Sequence, residues 1–298
     1  SVVDADDAVQ ETMIRAWRGL ERFEGRSSLR RWLVRIATNV CLDQLGARGR
    51  RVRPFEDGPC GGIDGDLGTH PGEYWLEPIP DALVLTDDAD PAERAALRQS
   101  IRLAFVAALQ HLPPRQRACL LLKEVLDFSA EEIAETLETS VASVNSALQR
   151  ARAQTMASRR EQVPAFDDFV PTTGTESLLE RYIAAFERHD VDALVGLLCD
   201  DVIMSMPPYT LWLQGPATIH DWLHGPGIHC RGSRLLPVAA SASPAFAQYR
   251  PAPEGGHRAW ALIVLELREE RIAAWNAFLA VETLFPRFGL DLELPPQK

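Results

Sequence analysis

No run of about 18 apolar residues occurs in the chain, which excludes a membrane-spanning helix of ordinary length. Cysteine is sparse. Cys41, Cys60, Cys119, Cys199 and Cys230 are odd in number and scattered, which argues against a disulfide framework and for thiols in a reducing cytoplasm. The opening residues SVVDADDAVQ carry neither an initiator Met nor a signal-peptide pattern. They begin in mid-helix character, so the natural chain is expected to start earlier. Net positive charge is also lacking, and a formal charge of −11 argues against wholesale nucleic-acid binding. What is present is ample: 298 residues, 46% of them hydrophobic, suffice for two or three cores and at least two domains.

The charge is unevenly placed. Arg26 to Arg53 holds eight arginines against one acid, Asp43, whereas Pro54 to Glu93 holds eleven acids and no Lys or Arg. Ser140 to Arg160 holds four arginines and no acid. Two basic segments therefore flank an acidic one, and local charge governs attraction to phosphates more than the total does.

The second basic segment lies in the most informative stretch, Ser129 to Arg152. Ser129 is an N-cap, and Glu132 three residues on completes a capping box. Ile133, Ala134 and Leu137 give one short helix an apolar face. Glu138 and Thr139 make a turn without glycine, and Ser140 caps a second helix. There Val141, Val144, Leu148 and Ala151 recur at helical spacing and face inward. Ala142, Asn145, Gln149 and Arg152 lie opposite, flanked by Ser143, Ser146 and Arg150. Small residues permit close approach to a duplex, while Asn, Gln, Ser and Arg bond base edges and phosphates. This is the pattern of a helix-turn-helix with a major-groove recognition helix; the alternative is an αα-hairpin with a solvated polar face.

Elsewhere, residues 4–20 read as an amphipathic helix with Val9, Met13, Ala16, Trp17 and Leu20 on one side and Asp4, Asp6, Asp7 and Glu11 near its positive end. A second helix over 28–46 carries a buried stripe of Leu29, Trp32, Leu33, Ile36 and Val40, with Arg31, Arg35 and Thr38 on the far face. Residues 54–93 read as a Gly-, Pro- and Asp-rich linker with weak prospects for a packed core, except for the apolar island Tyr74 to Pro80, whose Trp75-Leu76 pair suits a docking anchor. Helices resume near Pro91, around Leu103 to Leu109 and over Arg115 to Leu126. A short linker covers 159–175. From Glu176 the pattern turns to two helices, a strand over Val202 to Met206, a short helix near Ala217 to Leu223, and β-like runs Leu235–Ala240, Ala245–Arg250, His257–Leu267 and Arg271–Val281, the last three divided by turns. An antiparallel meander and an α+β class follow.

The phrases DADDAVQETMIRAW, FEGRSSLRRWLVRIATNVCLD and LPPRQRACLLLKEVLDFSAEEIAETLETSVASVNSALQRAR resemble an extracytoplasmic-function (ECF) sigma factor of the sigma-70 family. The tail phrases RYIAAFERHDVDAL, MPPYTLWLQG and AFLAVETLFPRFGL, with the WLEPIPD linker, resemble the sigma G-like actinobacterial group that carries a SnoaL-like domain. The resemblance implies a multidomain chain: two all-α domains and a C-terminal cone-shaped α+β domain. Its expected parts are region 2 over 1–53 (lacking its opening part), the linker over 54–93, region 4 over 94–158, a linker over 159–175 and the SnoaL-like domain over 176–298. It further implies docking of Asp6, Asp7, Gln10 and Glu11 on core RNA polymerase. Arg31, Trp32, Arg35 and Asn39 would read and melt the −10 element, with Arg48, Arg50 and Arg51 on backbone phosphates; a structural role for Asn39 is the alternative. Ser143, Asn145, Ser146, Gln149, Arg150 and Arg152 would read the −35 element. The implied partners are core polymerase and promoter DNA in the cytoplasm, with no cofactor and no membrane.

For the tail, Tyr182, Met206, Tyr209, Trp212 and Trp275, with Trp222 and Trp260, line a candidate pocket for a small apolar ligand. Asp200 and Asp201 are the nearest acids, but they precede a strand, where turn-forming Asp is ordinary. His220, His224, His229 and Cys230 are interrupted by Pro226 and Gly227, against a metal site. Autoregulation through an intramolecular partner, or ligand sensing, is therefore the expectation for the tail, and catalysis is not. The competing classes are a SnoaL-like small-molecule enzyme with a helical appendage and a repressor that binds DNA unaided.

Overall fold

The computed structural model describes residues 2–25, 27–47, 49–64, 67–85, 90–161 and 172–296. Helix α1 (Val2–Gly19), closed by a 3-10 turn over Leu20–Arg22, packs against α2 (Leu29–Ala47). The contact is made by the small side of α1: Ala8, Thr12 and Ala16, one turn apart, are its buried residues. This corrects the expected orientation. Val9, Met13, Trp17 and Leu20 face solvent, Trp17 with 79% of its surface exposed. On α2, Val40 is buried and Trp32, Leu33 and Ile36 are half-buried, but Leu29 is exposed. Trp32 stacks 5.0 Å from Phe23.

The segment after α2 departs further from expectation. It contains α3 (Pro54–Asp57) and two 3-10 turns, Gly72–Tyr74 and Asp81–Leu83, and it lies as a strap on the C-terminal part of the chain. Val52, Trp75 and Leu76 are buried, as are Pro54, Pro78 and Pro80. Val52 bridges Trp75, and the Trp75 indole N–H donates to the Pro208 carbonyl at 3.2 Å. Ile79 exchanges hydrogen bonds with Ser241, and the Asp81 carboxylate accepts the Ala242 N–H at 2.7 Å. The expectation of a docking anchor at Trp75-Leu76 fits this arrangement: the pair is buried, and the Trp75 indole is bonded to the distant Pro208.

Helices α4 (Pro91–Ser100), α5 (Leu103–Gln110), α6 (Pro114–Glu124), α7 (Ala130–Thr136) and α8 (Val141–Glu161) follow. Cys119, Leu122, Phe128, Ile133, Leu137, Val144 and Leu148 form one core around the α7–α8 pair. Ala147 belongs to it too, which is why a short side chain stands there.

The C-terminal part opens with α9 (Thr173–Arg188) and α10 (Val191–Val195). Then come β1 (Leu198–Ser205), β2 (Trp212–Gln214), α11 (Pro216–His224), β3 (Arg234–Ala240), β4 (Ser243–Pro251), β5 (His257–Arg268), β6 (Arg271–Phe278), α12 (Val281–Leu284) and β7 (Glu293–Leu294). The expected meander is β3 to β6, antiparallel throughout. Strand β1 joins β6 in parallel, giving the order β2-β1-β6-β5-β4-β3 with β7 on β5. The sheet is covered on both faces, so β5 reads as a near-continuous apolar run. Its Ala261, Ile263 and Leu265 meet Tyr182 and Phe186 of α9, while Leu262 and Val264 meet Tyr249 and Phe285 on the other side. Leu103 of α5 is buried in that second cluster, so the helical part also touches this face.

Candidate nucleic-acid interface

The α7–α8 pair is built locally. Ser129 and Glu132 form the reciprocal capping box that the sequence predicts, at 3.2 and 2.8 Å. Glu138 makes the turn with a left-handed backbone (φ 51°), a conformation that favours glycine. Ser140 caps α8 through the Ser143 N–H at 3.2 Å. Val144, Leu148 and Ala151 are buried, and the opposite face, with Ala142, Ser143, Asn145, Ser146, Gln149 and Arg150, is exposed. Arg152 lies on that face but is held by Glu124 of α6 at 2.5 and 3.0 Å. It fastens α8 to α6.

The expected −10 residues are placed differently. Arg31 pairs with Glu132, and Arg35 with Glu138 at 3.0 Å, so both point to the α7 side of the helix-turn-helix. Val34 and Leu42 of α2 rest on its apolar core. Trp32 is half-buried against Phe23, and Asn39 is exposed. Arg50 donates to His111 Nδ1 at 2.8 Å, which leaves the Nε2 side of that ring facing Glu56 at 3.3 Å. Arg51 pairs with Asp4 at 2.6 Å and donates to the Trp75 carbonyl at 3.0 Å. Arg48 lies outside the described residues.

Arg53, two residues on, is the most enclosed cation among the described residues: it is 4% exposed and forks onto Glu266 of β5 at 3.1 Å, itself 2% exposed. Asn276 donates to the same carboxylate at 3.1 Å and accepts from Ser205. Desolvating two charges is tolerated only with such paired and hydrogen-bonded geometry. The sequence reading missed Glu132, Glu138, His111 and Glu266 as partners. Only Glu266 left a signal, a lone acid within the apolar run from Ala259 to Leu267.

The expected polymerase-docking residues Asp6, Asp7 and Gln10 are exposed along α1. Glu11 pairs with Arg15 at 2.7 Å, and Arg15 reaches Asp43 at 3.1 Å. Glu11 first, then Asp43, push the Arg15 guanidinium above its ordinary value.

In the C-terminal part, Tyr182 and Trp275 meet edge to face with ring centres 5.6 Å apart within the core, with Phe186 and Phe246 against Tyr182. Burial pushes the Tyr182 phenol well above its ordinary value. Met206 and Tyr209 are half-buried at the core's edge. Trp212 is turned instead to the strap, where its N–H donates to the Gly58 carbonyl at 2.9 Å. The five expected pocket residues are thus divided between the core, its edge and the strap contact. Asp201 is held below the ordinary carboxylate range by Arg268, and Asp200 pairs with Arg271. His220 and His224 stack at 4.5 Å, and no group of three or more metal-ligating side chains occurs among the described residues.

Comparison with known proteins gives three family matches: sigma-70 region 2 over residues 1–51, sigma-70 region 4 over 102–154 and a SnoaL-like domain over 179–275. The chain is 46% identical over 298 residues to the ECF RNA polymerase sigma factor SigG of Mycobacterium tuberculosis, covering 97% of this chain and 78% of that protein. It is 34% identical over 149 residues to the RNA polymerase sigma-H factor of Pseudomonas aeruginosa, covering 50% of this chain and 69% of that one. The crystal structure of the M. tuberculosis extracytoplasmic function sigma factor SigJ matches with a TM-score of 0.63 at 21% identity, covering 98% of this chain and 92% of that one. This last likeness is one of fold.

Proposed function

Because the chain belongs to the ECF RNA polymerase sigma factors, we propose that it directs core RNA polymerase to promoters whose −35 and −10 elements are read by α8 and α2. The observation that carries the reading is the outward face of α8. Asn145, Ser146, Gln149 and Arg150 are exposed on a helix whose other side is pinned by Val144, Leu148 and Ala151. Such a helix presents base-reading groups to a major groove from a rigid support. Asp6, Asp7 and Gln10 on α1 are the proposed polymerase contacts, with Glu11 joining them on release from Arg15. Each DNA-reading surface is small, and both gain from being held on one assembly at fixed spacing. The protein acts in the cytoplasm, with the polymerase.

The C-terminal domain is read as autoregulatory rather than catalytic. Its outer sheet face receives Arg53 from the segment after α2 and Leu103 from α5, one group from each side of the two promoter-reading units. Its interior is occupied by the packed rings of Tyr182, Phe186, Phe246 and Trp275, and Asp200 and Asp201 are tied to arginines. Runoff transcription with the full chain and core polymerase tests the function. A promoter-specific transcript that depends on the chain is expected, and failure of the full chain to associate with core polymerase would refute it.

A further inference from the structure

Arg31 and Arg35 project from one side of α2, one helical turn apart, and each meets an acid of the helix-turn-helix. We infer that Glu132 and Glu138 form an internal anionic plug that occupies, on Arg31 and Arg35, the places that promoter-strand phosphates take. The inference rests on the reading of α2 as the −10 helix and deepens it by naming what regulates that surface.

Both acids are placed by constraints that serve no other contact on α2. Glu132 divides its carboxylate: Oε2 accepts the Ser129 N–H of the capping box, leaving Oε1 for Arg31. The capping bond fixes the side chain before the arginine arrives, so little rotamer freedom is lost in pairing. Glu138 sits in the turn with φ 51°, where a residue with a Cβ is disfavoured and glycine would be relaxed. Glycine there could not reach Arg35. Guanidinium binds carboxylate and phosphate through the same donor geometry, so the two compete directly for one cation.

The contact also sets distance. Reading two separate duplex elements needs surfaces about one helical turn, ~34 Å, or more apart. Here α2 touches the helix-turn-helix itself, with Val34 and Leu42 on its core. The plugged arrangement therefore leaves the polar face of α8 open while Arg31 and Arg35 of α2 are paired with acids. A partner that separates the two units frees both arginines of their carboxylates as a consequence.

The test uses the full chain without polymerase and a fluorescent single-stranded oligonucleotide carrying the −10 element, read by anisotropy at low salt. The double variant Glu132→Gln, Glu138→Gln keeps a residue competent for the capping box and removes both charges. Two exposed ion pairs of ordinary worth predict ~2- to 30-fold tighter binding than the parent chain, an advantage that shrinks as salt rises. Adding Arg31→Ala and Arg35→Ala to the double variant should abolish the gain. Equal affinity of parent and double variant, undetectable binding by both, or a gain that survives loss of the two arginines overturns the plug. Runoff transcription by the parent with core polymerase separates the two ideas. A normal transcript with unchanged free-chain affinity refutes the plug alone, whereas no transcript refutes the promoter function beneath it.

Discussion

The two surfaces proposed to read promoter DNA differ in composition, one mostly uncharged and one made of arginines, and they stand in opposite states. On α8, Asn145, Ser146, Gln149 and Arg150 face solvent. On and after α2, Arg31, Arg35, Arg50 and Arg51 are each bound to a partner from elsewhere in the chain: Glu132, Glu138, His111 and Asp4. The difference lies in how each helix is supported. Helix α8 satisfies its inward side with its own apolar core, so its polar face from Ala142 to Arg150 stays open and only Arg152 is drawn to a partner. Helix α2 has a thin support, with α1 offering it only small residues, and it leans on the helix-turn-helix and, through the chain that follows it, on the C-terminal domain. Local charge alone therefore does not say whether a basic surface is available to nucleic acid.

The largest expected effect breaks that dependence at its deepest point. Glu266→Ala leaves the Arg53 guanidinium buried without its counter-charge, and loss of one member of such a pair costs about 3–5 kcal/mol. Chemical denaturation of the full chain should show this loss, and replacing both residues by apolar ones of similar size should recover most of it. A loss below about 1 kcal/mol would mean that the segment after α2 is held to the C-terminal domain by its apolar contacts alone. Next in size is a change confined to the open surface. Gln149→Ala should reduce discrimination at one base pair of the −35 element by about 1–3 kcal/mol in holoenzyme binding across a panel of promoter variants. Uniform weakening across the panel would assign Gln149 to the backbone instead. The two variants sharpen the comparison because the first acts on stability and the second on sequence preference.

The open surface was legible in the sequence and the occupied one was not, for a physical reason. Capping, turn and apolar spacing from Ser129 to Arg152 are set by neighbours three or four residues away, and the residues read as facing inward or outward fall as read. The partners of the α2 side come from far along the chain: Arg35 meets Glu138 across 103 positions and Arg53 meets Glu266 across 213. Periodicity carries no information about such pairs. Helix α1 shows a second limit. Hydrophobicity marks Val9, Met13, Ala16, Trp17 and Leu20 as one apolar side, of which only Ala16 is buried, with Ala8 and Thr12 completing the inner face. The strap shows a third: the Trp75-Leu76 pair reads as an anchor from its apolar character among Gly, Pro and Asp, but nothing local says that its partner is Pro208, 133 positions on.

The smallest expected effect tests the strap at its far end. Asp81 accepts the Ala242 N–H at the left-handed turn between β3 and β4, where Ser241 and Ala242 have φ of 51° and 47°. Burial pushes the Asp81 carboxyl above its ordinary value, against the opposing pull of the Ala242 hydrogen bond and of Arg98. A folded-state value above the unfolded one means that folding favours the neutral acid. Its contribution is then fully present below the unfolded value near 4 and is lost as pH rises through the folded one. At neutral pH the charged form is retained at a net cost. Asp81→Asn keeps an acceptor oxygen for Ala242 and removes the charge, so the variant should show a slightly higher denaturation midpoint than the parent at pH 7. That advantage should vanish as pH falls below about 4, where the parent carboxyl is protonated as well. A lower midpoint for the variant at pH 7 would mean instead that the charge strengthens the bond to Ala242 by more than its burial costs, and the strap would then be fastened by electrostatics at both ends.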